Sequence, residues 1–111
     1  MDLRDKVFDL VENENGLAES TTRMVFKNCT NPYEATYSGP NISNGHVLVS
    51  NLNDILSMIY HAYTNEGDLV AGKASVTLNE IAPGKLSMQL NWQWLTGNLT
   101  SGTSNWIQVK T

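Results

Sequence analysis

Leu86-Ser87-Met88-Gln89-Leu90-Asn91-Trp92-Gln93-Trp94 carries a large apolar side chain at every even position and a small or amide-bearing one at every odd position. Side chains alternate faces along a strand, so the stretch predicts a β-strand with one buried and one wet face. Upstream, Val70, Gly72, Ala74, Val76 and Leu78 share one parity, against Ala71, Lys73, Ser75, Thr77 and Asn79 on the other. Ala82-Pro83-Gly84 supplies a turn between the two. If both strands place their apolar sets on one face, paired residue numbers sum to an even value. One register sets Trp92 against Ala74 and Trp94 against Gly72; the next sets Trp94 against Ala74. In both, the largest side chains lie over the smallest, which fills a packed layer without clash or void.

Outward from this hairpin the pattern is less regular. A last strand is expected over Trp106–Lys110, with Ile107 and Val109 inward and Trp106 on the opposite face or at the rim. It follows a polar loop over 97–105. At the other end, Leu3, Val7, Leu10 and Val11 fall on one helical stripe widened by Phe8, which predicts a helix from Asp2 to about Glu12. Asp2 suits its N-cap and Gly16 its C-terminal stop. Residues 22–50 suggest short strands. Met24 and Phe26 alternate with polar neighbours, as do Tyr33, Ala35 and Tyr37. Pro40 points to an edge strand or a break. Asn44-Gly45 has the composition of a two-residue hairpin turn. Leu52, Ile55, Leu56, Ile59 and Tyr63 fit a helical period, so a short helix is expected over 52–59; an alternating tail up to residue 63 also suits a strand.

The 111 residues suit a single domain spanning 1–111. The expected fold is α+β: the N-terminal helix on a twisted, mainly antiparallel sheet of about six strands ending in a three-stranded meander. The alternative is a small β-barrel plugged by the helix.

Charged residues make up 16% of the chain, below the roughly 25% of an average soluble protein. Thirteen Asn and nineteen Ser plus Thr supply neutral polarity instead. The net charge of −4 is segregated. Residues 1–19 hold six acidic and two basic side chains, and residues 20–111 hold five of each. Without a basic patch, direct nucleic-acid binding is not expected. Cys29 is the sole cysteine, so no intrachain disulfide forms. No apolar leader and no run long enough for a membrane helix is found, so a cytoplasmic setting without membrane attachment is expected. The sequons starting at Asn28, Asn41 and Asn98 have no meaning in that setting.

No motif for catalysis, cofactor or metal is found: there is no HxxxH, CxxC or DxDxDG spacing and no phosphate loop. Cys29 could meet His46 or His61 as nucleophile and base only if the fold brought them together. Glu66 and Asp68 flank Gly67 at a turn, where carboxylates serve solubility. Trp92 and Trp94 suit a core. With Tyr60 and Tyr63, they also suit the wall of a ligand cavity. Trp106, beside a polar loop, suits an interface anchor. Asp2, Asp5, Asp9 and Glu12 would form an acidic ridge on the expected helix. The function expected from these features is non-catalytic: a small adaptor or inhibitor that binds a protein partner through Trp106 and the ridge, with a homodimer compatible. The alternative is a small-molecule carrier or sensor whose cavity lies between helix and sheet. An enzyme built on the tyrosines and His61 ranks third.

Overall fold

The computed structural model describes residues 2–14, 21–97 and 99–109. Its elements are all strands: β1 (Val7–Asn13), β2 (Arg23–Phe26), β3 (Tyr33–Gly39), β4 (Ile42–Leu52), β5 (Ile55–Thr64), β6 (Leu69–Ala82), β7 (Lys85–Trp94) and β8 (Ser101–Gln108). Each pairs antiparallel with the next, and β1 pairs with β8 through Phe8–Gln108 and Leu10–Trp106, closing an eight-stranded barrel. Closure satisfies every strand edge, which a six-stranded open sheet could not do.

Inward parity runs all the way round. Phe8 and Leu10, Met24 and Phe26, Tyr33, Ala35 and Tyr37, Val47 and Val49, and Met58 and Tyr60 are buried in turn. Ala74 and Val76, the even residues from Leu86 to Trp92, and Trp106 complete the interior. The β6–β7 hairpin takes the register in which Trp92 faces Ala74 and Trp94 faces Gly72. At the end holding the chain's first residues, Leu3 and Phe8 are fully buried and Phe8 meets Phe26 edge-on at 5.9 Å. Ahead of β1, the Asp5 amide donates to the Lys27 carbonyl, tying this end shut.

The expected α+β fold is therefore corrected: there is no helix among the described residues. The barrel forms without the helical plug. Residues 7–13 are strand because Phe8 and Leu10 point inward on a period of two, while Val11 is exposed on the outer wall. Val7 and Val11 are the outward apolar residues that completed the apparent helical stripe. Gly16, expected to stop that helix, lies outside the described residues, as does Lys110 at the end of the expected last strand.

The helix expected over 52–59 is also absent. Asn53 and Asp54 both take left-handed φ values, 53° and 65°, as the central pair of a type I′ turn must. The Asp54 amide donates to the Asn51 side-chain oxygen at 3.1 Å. Leu52 and Ile55 flank this turn and are exposed. Asn44-Gly45 is not a turn; β4 runs straight through it, with a bulge between Ile42 and Asn44.

Replacing Phe8 with Ala removes a ring from the sealed end and should lower unfolding free energy by about 3–5 kcal/mol. Val11→Ala on the outer wall should stay within about 0.5 kcal/mol. Urea denaturation of the two variants distinguishes inward from outward parity in β1; equal losses would contradict it.

Candidate functional site

The barrel is filled at one end and hollow toward the other, where β1, β3, β5 and β7 finish. The hollow has a volume of about 60 Å³, room for about four to six waters at ~10–15 Å³ each. Asn13, Met24 and Tyr37 line it from β1, β2 and β3. Ile42, Val47, Met58 and Tyr60 line it from β4 and β5, and Leu90, Trp92 and Trp94 from β7. Ser104 and Trp106 complete it from β8. An eight-stranded barrel is just wide enough to be filled by side chains or to hold one small ligand.

The hollow exists because glycines seat the aromatic rings. Tyr37 faces Gly45 across β3–β4, Tyr60 faces Gly72 across β5–β6, and Trp92 faces Gly102 across β7–β8. A Cβ on Gly45 would lie 2.6 Å from the Tyr37 ring, one on Gly72 would overlap the Tyr60 ring and hydroxyl, and one on Gly102 would overlap the Glu14 carbonyl and lie 2.7 Å from the Trp92 ring. Each ring thus lies against the bare backbone of its neighbour instead of projecting across the lumen. Tyr60 meets Trp94 edge-on at 5.4 Å, and Trp92 meets Trp94 at 6.0 Å. Trp94 is only half-buried and stands at the mouth.

Polar groups in this wall are few and uncharged. The Trp106 indole N–H donates to Ser104 Oγ at 3.0 Å. The Tyr60 hydroxyl donates to the Gln93 carbonyl over a long 3.5 Å. Burial pushes the Tyr60 phenol up to about 12. It pushes the more deeply buried Tyr37 phenol further still, helped by the nearby Tyr60. No charged side chain among the described residues lines the cavity.

Of the aromatic residues expected to wall a cavity, Trp92, Trp94 and Tyr60 do so; Tyr63 does not, being exposed on the outer wall. Tyr37 and Trp106 line the same space and were not assigned to it from sequence. Trp106 was expected outside, yet it is 4% exposed. Its inward face follows from Ser104 and Trp106 sharing parity, with Trp106 paired to inward Leu10 and Met88. The acidic ridge does not form either. Asp2 is engaged by Arg4, whose hydrogen bonds hold its carboxyl down at about 2. Asp9 is held by Arg23 on β2 at 2.7 Å, and its carboxyl is likewise lowered. Asp5 sits in the turn before β1 with left-handed φ. Glu12 accepts from the Asn105 amide at 3.4 Å.

His46 and His61 meet each other on the outer wall, ring centroids 5.3 Å apart, while the Cys29 thiol donates to Glu34 at 3.4 Å. The Cys/His pairing is not assembled. Glu66 and Asp68 lie at the β5–β6 turn, where the Thr64 amide donates to the Asp68 carbonyl. No group of three or more metal-ligating side chains occurs among the described residues, and no helix there is long and apolar enough to cross a membrane.

A family model described as avidin-like protein matches residues 1–109, so the chain belongs to the avidin-like family. The closed eight-stranded barrel is consistent with that fold. No individual curated protein and no solved structure matches the chain.

Gly45→Ala should force the Tyr37 ring off the wall and cost about 1–3 kcal/mol by overpacking, measured as a shift in urea midpoint; an unchanged midpoint would contradict the seating. Because folding favours the neutral phenols, the unfolded chain loses its tyrosine protons first. Stability should therefore hold below the ordinary tyrosine value of 10.0 and fall as pH rises above it. Tyr37→Phe should flatten that alkaline decline, as read from thermal melts across the range.

Proposed function

We propose that this protein is a non-catalytic carrier or sensor that holds one small molecule in the open half of the barrel. The family binds small molecules such as biotin, which favours this reading over a protein-binding adaptor. The observation that carries it is the cavity itself: a wall of Tyr37, Tyr60, Trp92, Trp94 and Trp106 around space that glycines keep clear. A well-formed apolar pocket with a few convergent polar groups is the usual form of a small-ligand site.

The lining supports one class of ligand chemistry. Aromatic faces stack on a flat or compact ring. With no charged group in the described lining, a buried ionic centre would have no counter-charge, and its desolvation would oppose entry. The ligand's buried part is therefore a neutral ring system, and any charged tail stays at the mouth beside Trp94. The Tyr37 phenol remains protonated at neutral pH and offers an O–H donor, which suits a ring bearing a carbonyl acceptor, while the Tyr60 O–H is directed to the Gln93 carbonyl.

Intrinsic tryptophan fluorescence titrated with biotin, cyclic ureas, lactams and neutral aromatic rings tests the proposal. A saturable change with a member of this set is expected. Tyr37→Phe should weaken that binding about tenfold, the worth of one hydrogen bond, without unfolding the barrel. A flat response to every compound would overturn the reading.

A further inference from the structure

The geometry points to a second site on the opposite side of the wall: His46 and His61 form a bidentate chelate for a divalent transition-metal ion such as zinc, nickel or copper. The two are directly paired residues on β4 and β5, and both point outward and are exposed. Their ring centroids stand 5.3 Å apart with planes inclined by 26°.

That separation is the one a shared ion requires. A zinc–imidazole nitrogen bond is about 2.0–2.1 Å. With the nitrogen about 1.1 Å from the ring centre, tetrahedral geometry puts two bound rings about 5 Å apart, centre to centre. The backbone pairing thus supplies the spacing, and rotation about the soft terminal torsion of each histidine turns its nitrogen to the ion. The surroundings leave the rings accessible. The same row across the wall continues with Thr36 on β3 and Ala71 on β6, both short. Leu48 and Ile59 pair on one side of the histidines and Asn44 and Tyr63 flank the other.

Two imidazoles without carboxylates select borderline ions over magnesium and calcium, which take oxygen ligands. Water fills the remaining positions. Protons compete for the same nitrogens. The charged groups nearest the pair on adjoining strands are Glu34, opposite Leu48, and Lys73, opposite Ile59, one of each sign.

Calorimetric titration of the untagged protein with zinc chloride tests this. One ion per chain is expected, with no binding of magnesium. His46→Gln and His61→Gln should each weaken zinc binding at least about tenfold, since either removes the effective concentration that the paired ligand provides. Both substitutions are on the exposed wall, and an unchanged melting temperature without metal verifies that the barrel persists. Equal affinity in the wild type and either variant would overturn the proposal. So would one ion per two chains, or magnesium binding as tightly as zinc.

Discussion

The hollow half of the barrel depends on aromatic rings packed close against glycine backbone. A closed eight-stranded wall has so narrow a lumen that large inward side chains from all eight strands would fill it. Gly45, Gly72 and Gly102 remove three of those side chains at the level where Tyr37, Tyr60 and Trp92 turn inward. The rings occupy the space the missing Cβ atoms leave, so the wall is thickened and the centre is not crossed. At the other end no such pairing operates. There Leu3, Phe8, Phe26 and Val49 are buried, with Phe8 edge-on to Phe26. One chain thus divides its interior between stability and a site.

The same rule explains the electrostatics. The ion pairs of Asp2 with Arg4 and of Asp9 with Arg23 are at the surface, where they contribute little to stability. The charge that the sequence concentrates in residues 1–19 is kept out of the lumen, at least for every described side chain. What faces inward is aliphatic, thioether, aromatic, hydroxyl or amide. The buried phenols are held neutral by desolvation, so they can donate hydrogen bonds without introducing charge. Discrimination in such a site comes from shape and from those few donors.

How much of this was legible in the sequence follows from which faces carry apolar residues. The Leu86–Trp94 alternation and its Gly72/Ala74 partner were legible, and the register was narrowed to two of which the structure takes one, because one face is apolar and the other polar. Elsewhere the outer wall is apolar too. Val11, Leu52, Ile55 and Ile59 are exposed, and each blurs a period of two into a plausible helix. The Asn53-Asp54 pair was the available signal for a tight turn in the second misread segment. Phe8 and Leu10 carried the strand signal in the first. Trp106 was misassigned because Ile107 and Val109 are also apolar; the size of the indole, too large to leave outside a small core, was the better guide. Closure of the barrel was not legible locally, since the β1–β8 pairing joins the two ends of the chain.

Proton NMR of the folded protein tests the seating of rings on glycines most directly. Gly45, Gly72 and Gly102 stand close against the rings of Tyr37, Tyr60 and Trp92. Their α-protons should be shifted by ring currents and show nuclear Overhauser contacts to Tyr37, Tyr60 and Trp92 respectively. Ordinary glycine shifts with no ring contacts would mean that the rings project into the lumen, and the open half of the barrel would not exist.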